Sequence, residues 1–218
     1  MTTRKLVTLS LATSLCVGHE LRAQQWVPLG PDDENWPCDQ PFGDDGFALD
    51  PEGNPVIAML TGYSDYRISV RRWTGSHWNS VGPVGFANSN SYPCVATDLS
   101  EGFFVAYQDP DNGYRVSVSH WTGGSWQLVG SAGFTLGQAS PTGLEVDTQG
   151  RPVVAFTDVT QGGRVSVWHW NGMIWEPIGP QGFSMGTVAC LDLAIDGAGD
   201  PVVAYRDNSN GKRTTVQR

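Results

Sequence analysis

Three aspartate–arginine pairs recur along the chain at a spacing of six residues: Asp109/Arg115, Asp158/Arg164 and Asp207/Arg213. A carboxylate and a guanidinium so spaced can flank a hairpin turn and face each other as cross-strand partners. Two roles suit them: an ion pair that anchors the hairpin, worth up to about 1 kcal/mol, or a ring of charges that holds a polar ligand. A fourth copy of the pattern keeps Arg67 but has Thr61 at the aspartate position. Near the start, Asp32, Asp33, Glu34, Asp39, Asp44 and Asp45 crowd one segment. Oxygen ligands of this kind suit a hard cation, and Ca2+ is the only cofactor the sequence suggests. Solvated charge on a variable loop is the plainer reading. Trp36, in the same segment, is an aromatic suited to stacking on a sugar or contacting a partner. Asp109-Pro-Asp-Asn-Gly113 opens like a calcium loop but lacks the later acidic ligands, so a turn explains it.

Other catalytic signatures are absent from the sequence. There is no Gly-x-Ser-x-Gly, His-Glu-x-x-His, P-loop or Cys-x-x-Cys. Glu145 stands where the other copies have Ala48, Ala96 and Ala194. A lone acid lacks the second carboxylate that most glycosidases use. His120 and His169 occupy matching positions, where another copy has Arg72, and that recurrence favours a structural role. The formal charge of −9, with only two lysines, argues against nucleic acid and anionic membrane as partners.

The elements that must position these residues repeat about every 48 residues. Trp26-Val-Pro-Leu-Gly30, Trp78-Asn-Ser-Val-Gly82, Trp126-Gln-Leu-Val-Gly130 and Trp175-Glu-Pro-Ile-Gly179 each open a copy. The last three continue to Gly85-Phe86, Gly133-Phe134 and Gly182-Phe183. Each copy then reaches a short alternating stretch that ends at Asp50, Asp98, Asp147 or Asp196. A turn leads to Pro55-Val-Ile-Ala-Met59, Phe103-Phe-Val-Ala-Tyr107, Pro152-Val-Val-Ala-Phe156 or Pro201-Val-Val-Ala-Tyr205. Strands led by Arg67, Arg115, Arg164 and Arg213 follow. Period-2 alternation, high glycine and abundant aromatics predict strands throughout. Asn112-Gly113 and Asn210-Gly211 predict hairpin turns.

A period of 40–50 residues with four short strands is the pattern of a propeller blade. The expected fold is all-β, a four-bladed propeller with four antiparallel strands per blade. Blade 1 spans about 46–82, blade 2 about 94–130 and blade 3 about 143–179. Blade 4 spans about 190–218 and is completed by residues 26–30, so that no sheet edge is left open. Against this closure, the Trp that follows each arginine by six positions would fall one residue past Arg218. A piece of a longer repeat protein is therefore the alternative.

Residues 1–23 read as a secretory signal peptide. Arg4 and Lys5 precede an uncharged stretch over 6–17, too short to span a bilayer, and Ala23 suits cleavage before Gln24. The expected location is secreted or periplasmic, with no membrane association after cleavage. The mature chain, 24–218, keeps Cys38, Cys94 and Cys190, which allow at most one internal disulfide. Either Cys38–Cys94 or Cys38–Cys190 would bridge neighbouring blades, and the sequence does not choose between them.

The repeat resembles the blades of secreted bacterial β-propeller repeat proteins, which read Pro-Val-Val-Ala-Tyr, then Val-x-Val, then Trp-x-Gly-x-x-Trp-x-x-Val-Gly-x-x-Gly-Phe. The likeness covers about 26–218. It implies the architecture and leaves the function open. The expected function is a non-catalytic, lectin-like module that binds carbohydrate or protein multivalently through the loop face, as a monomer or as part of a larger repeat array. The candidate residues are Trp36, Asp32, Asp33 and the three Asp/Arg pairs. A hydrolase or lyase with an acidic site at the channel mouth is the second expectation, and a fragment of a surface repeat protein the third.

Overall fold

The computed structural model describes residues 27–30, 46–62, 66–98, 100 and 102–218. The signal segment, Trp26, Asp32, Asp33, Trp36 and Cys38 lie outside the described residues.

Among the described residues, sixteen strands follow one another in consecutive antiparallel meanders. The first sheet holds β1 (Phe47–Leu49), β2 (Pro55–Thr61), β3 (Arg67–Trp73) and β4 (Trp78–Ser80), with β5 (Ala87–Asn88) also pairing β3. The second holds β6 (Cys94–Thr97), β7 (Phe103–Asp109), β8 (Arg115–Trp121) and β9 (Trp126–Leu128). The third holds β10 (Ala139–Val146), β11 (Pro152–Asp158), β12 (Arg164–Trp170) and β13 (Trp175–Pro177). The fourth has three strands: β14 (Val188–Ile195), β15 (Pro201–Asp207) and β16 (Arg213–Gln217).

Alternation along the second strand of each sheet explains the stacking. Phe103, Val105 and Tyr107 pack with Val56, Ala58 and Leu60 of the sheet before. On the opposite face, Phe104 and Ala106 meet Val154 and Phe156 of the sheet after. Val153 and Ala155 meet Val203 and Tyr205 in turn. A sheet between two neighbours is thus apolar on both faces, and its strands read as nearly continuous hydrophobic runs. The first strands β1, β6, β10 and β14 contact one another in series and form the inner edge.

The hairpins between the second and third strands of a blade differ from the two-residue turns expected at Asn-Gly. Five residues separate β7 from β8, including a 3-10 turn at Pro110–Asn112 that the Asp109 carboxylate caps. Gly113 and Tyr114 then take positive φ values of 71° and 59°. The capping carboxylate rewards the longer loop, which a bare Asn-Gly pattern does not reveal. Among the described residues β16 has no fourth strand beside it. Instead, Val27–Gly30 lies against blade 1, where the Leu29 carbonyl accepts a 3.0 Å hydrogen bond from Trp78 Nε1.

Candidate functional site

The register sets Asp109 opposite Arg115, Asp158 opposite Arg164 and Asp207 opposite Arg213. None of these pairs forms an ion pair among the described residues. The carboxylates turn into their own hairpins. Asp109 accepts from the Asp111 amide (3.0 Å), Asn112 Nδ2 (2.9 Å) and Ser117 Oγ (2.6 Å). Asp158 accepts from the Thr160 amide, Thr160 Oγ1 and Ser166 Oγ. Asp207 accepts from the amide and hydroxyl of Ser209, which hold its carboxyl below the usual range against the opposing effect of burial. All three are buried, so water competes little for them. The expected ion-pair anchor is therefore replaced by a carboxylate-capped turn. Arg115 turns the other way, donating to the Asn112 carbonyl at 3.1 Å.

The serine of the Arg-x-Ser-Val motif completes this device. Ser117 Oγ donates to Asp109 and accepts from the Gly133 amide at 2.8 Å. Ser166 Oγ likewise donates to Asp158 and accepts from the Gly182 amide at 2.9 Å. In blade 1, Ser69 accepts from Gly85 N and meets Thr61 Oγ1 at 2.9 Å, so threonine replaces the carboxylate. One buried hydroxyl thereby ties hairpin, third strand and inter-blade link together.

The aspartates that end the first strands cap the next turn and reach a basic side chain. Asp50 accepts from the Glu52 and Asn54 amides and from Arg72 Nε at 2.5 Å. Burial raises its pKa, but hydrogen bonds from Asn54 and the Arg72 guanidinium outweigh that and hold it low. Asp98 meets His120 at 3.1 Å and Asp196 meets Arg218 at 2.7 Å. In blade 3 Asp147 is held by Arg151, and His169 turns to Glu176 at 3.1 Å. These histidines are structural partners. The signal lay in the sequence as a basic residue 22 positions after each of Asp50, Asp98, Asp147 and Asp196.

The tryptophan hairpins lock the joints. Trp126 stacks on Phe86 at 4.3 Å and Trp175 on Phe134 at 4.1 Å, with ring planes within 10°. Their indole N–H groups donate to the carbonyls of Val81 (3.2 Å) and Val129 (2.7 Å). Gly82 and Gly130 sit so close that a Cβ would lie 2.5 Å from Trp121 or Trp170. These indoles are committed to packing.

Open polar surface remains on the turn-bearing face at the blade 1–2 joint, on either side of the link through residues 86–92. One cleft, about 240 Å3, is lined by Arg67, Phe86, Asn88, Tyr107, Asp109, Asp111 and Asn112. Asn88 Nδ2 donates to Asp111 at 3.0 Å, and Arg67 Nε donates to the Gly85 carbonyl at 2.7 Å. The other cleft, also about 240 Å3, is lined by Leu60, Tyr66, Asn90, Ser91 and Tyr92. Tyr66 and Tyr92 are 40% and 37% exposed. Ser91 Oγ is buried with no hydrogen-bond partner among the described residues.

On the inner edge, Glu145 lies in a cleft of about 220 Å3 with Ala48, Val95, Ala96 and Leu144. Burial, and then the negative charge of Asp192, push its carboxyl above the usual range. Sequence reasoning singled out Glu145 but not Asp192. Cys94 is buried in the blade 2–3 core. Cys190 is exposed with φ 52°, within the register shift of β14 between Ala189 and Asp192. Both pairings expected through Cys38 fall outside the described residues. No metal-type cluster occurs among the described residues, and the acidic segment proposed for Ca2+ lies outside them.

No family model matches the chain, and no curated protein matches it in sequence. Solved structures do match. The lectin of Aleuria aurantia, a six-bladed β-propeller with a novel fucose recognition mode, aligns with a TM-score of 0.54 and 18% identity. That alignment covers 73% of this chain and 52% of the lectin, so this chain spans about half the lectin's length. A Hadza microbial sialidase aligns with a TM-score of 0.53 and 14% identity over 78% of this chain and 43% of its own. A Dyadobacter fermentans protein of unknown function aligns at 0.50 and 16% identity, covering 80% and 66%. The fold is therefore of the β-propeller type, built from antiparallel sheets stacked face to face.

Proposed function

We propose that this chain is an exported, non-catalytic carbohydrate-binding module whose ligand occupies the blade 1–2 joint. The observation that carries this reading is the Tyr66/Tyr92 cleft, which has two partly exposed rings and, in its lining, Ser91, whose buried hydroxyl has no hydrogen-bond partner among the described residues. Sugars are bound by aromatic faces together with planar polar groups, and Asn90, Asn88, Asp111 and Arg67 supply such groups alongside. The match to a fucose-recognising lectin of the same fold type supports this choice of ligand class. Export rests on the 1–23 segment. The test is binding of the purified chain to immobilised glycans, with Tyr92→Ala expected to lower affinity about tenfold, or roughly 1.4 kcal/mol. Unchanged binding by that variant would remove the site from this joint.

A second reading, a hydrolase or lyase acting at the inner edge, is favoured by one observation: the raised carboxyl of Glu145 near Asp192. Perturbed acids of this kind suit proton transfer. Turnover of a glycoside or lactone panel that is lost in Glu145→Gln would establish it, and no turnover on such a panel would dismiss it.

A further inference from the structure

The joint between blades 1 and 2 departs from the next two joints in three linked ways. Its link is two residues shorter. The Ser89 amide donates to the Tyr66 carbonyl three residues after Phe86, whereas Ala139 and Val188 make the matching bonds, to Tyr114 and Gly163, five residues after Phe134 and Phe183. The longer links cover the hairpin turn of the following blade. A Cβ on Gly137 would lie 2.4 Å from Thr160, and one on Gly186 would lie 2.6 Å from Ser209. The shorter link leaves Asp111, the residue at the same place in the blade 2 turn, exposed beside a cleft of about 240 Å3.

The turn residue also changes its chemistry. Thr160 and Ser209 donate their hydroxyls back to Asp158 and Asp207, at 2.6 Å each. A carboxylate cannot donate in this way. Asp111 instead accepts one bond, from Asn88 Nδ2 at 3.0 Å. The third departure is at Arg67. Its cross-strand partner is Thr61, whereas Arg115, Arg164 and Arg213 stand opposite Asp109, Asp158 and Asp207. Arg67 Nε donates to the Gly85 carbonyl at 2.7 Å, which anchors the guanidinium against the link. Its terminal nitrogens have no hydrogen-bond partner among the described residues. Two parallel N–H groups on an anchored guanidinium match the two oxygens of a carboxylate.

We propose that this cleft selects an acidic sugar, one that carries a carboxylate, such as a uronic acid. The inference rests on the reading that the joint binds carbohydrate, and it names the class of sugar. The ligand carboxylate docks end-on against the terminal nitrogens of Arg67, hydroxyls of the same sugar donate to Asp111, and Phe86 and Leu128 supply apolar wall. Arg67 and Asp111 form no ion pair with each other among the described residues. Asn88 stands between them, paired with Arg67 in register and bonded to Asp111. The cleft thus keeps a cationic end and an anionic end apart. A neutral sugar offers Arg67 only hydroxyls, so an acidic one gains the stronger charge-assisted bonds.

The test is an array of galacturonate, glucuronate and sialic acid oligosaccharides, each beside its methyl ester, probed with the full chain verified as folded. The free acid of at least one pair should bind at least about tenfold more tightly than its ester. Arg67→Gln should remove that preference, while Arg206→Gln, which deletes an exposed charge in blade 4, should leave it unchanged. Thr61→Asp should lower the preference too, by restoring the carboxylate that the other copies place opposite the arginine. Ser69 Oγ already meets Thr61 Oγ1 at 2.9 Å and can donate to the new carboxylate as Ser117 does to Asp109, so this variant decides should Arg67→Gln fail to fold. Equal binding of acids and esters by the native chain, a preference that survives Arg67→Gln, or one lost equally in Arg206→Gln would overturn the proposal. Glycan binding without acid preference, weakened by Tyr92→Ala, would overturn it and leave carbohydrate recognition at this joint standing. A blank array would overturn both.

Discussion

Replacing Ser117 with alanine removes one hydroxyl and strands two buried groups. Ser117 is fully buried, donates to Asp109 at 2.6 Å and accepts from the Gly133 amide at 2.8 Å. A hydrogen bond to a charged acceptor contributes about 1.5–3 kcal/mol, and a stranded buried donor costs about 1–3 kcal/mol. Asp109 keeps its bonds from Asp111 and Asn112, which limits the loss. The expected destabilisation is about 3 kcal/mol. Ser69→Ala in blade 1 is the internal control. It strands the Gly85 amide in the same way, but its other partner is the neutral Thr61, which keeps a bond to the Arg67 carbonyl. Its cost should be about 1–1.5 kcal/mol lower. With a urea m-value of about 2 kcal/mol/M, Ser117→Ala moves the unfolding midpoint down by roughly 1.5 M and Ser69→Ala by roughly 0.75–1 M. Equal shifts, or a Ser117→Ala loss under about 1 kcal/mol, would refute the view that these aspartates are structural caps.

Three further outcomes follow from the same geometry. Gly130→Ala should cost more than the roughly 1–2 kcal/mol of left-handed backbone strain, because its methyl would lie 2.5 Å from Trp170; thermal unfolding reads the excess. Asp50 and Asp147 have lowered pKa values, so their stabilisation is complete above the unfolded value of about 3.9 and is lost as pH falls through the folded values. Urea midpoints should therefore drop below about pH 4, and Asp50→Asn should flatten that decline. Glu145 has the opposite sign. Its raised pKa penalises folding above about pH 4.3, so Glu145→Gln should raise stability at pH 7 and have little effect at pH 3.5.

Much of the blade was legible because each strand has its own local signature. The four arginines expected to lead third strands begin β3, β8, β12 and β16, and the Pro-Val-Val-Ala-type runs form β2, β7, β11 and β15. The first strands were harder to place. β10 and β14 start several residues before the alternating stretch, at Ala139 and Val188, because register shifts let them continue through irregular pairs. The Asp/Arg spacing correctly indicated cross-strand neighbours, yet spacing cannot say where a side chain turns. A carboxylate beside three local donors binds those rather than a more exposed guanidinium. The serine between them looked like filler in Arg-x-Ser-Val, although its recurrence in Ser69, Ser117 and Ser166 was visible. The candidate clefts were not legible. They arise where the link 86–92 passes between two blades; Tyr66 precedes Arg67 as Tyr114 precedes Arg115, but Ser91 and Tyr92 lie in the link that varies between copies.

The most direct measurement is a glycan array probed with the purified chain and with Tyr92→Ala, each verified as folded. The account predicts selective binding by the native chain, about tenfold weaker in the variant. A blank array from folded protein, or full binding by Tyr92→Ala, would contradict carbohydrate recognition at the blade 1–2 joint.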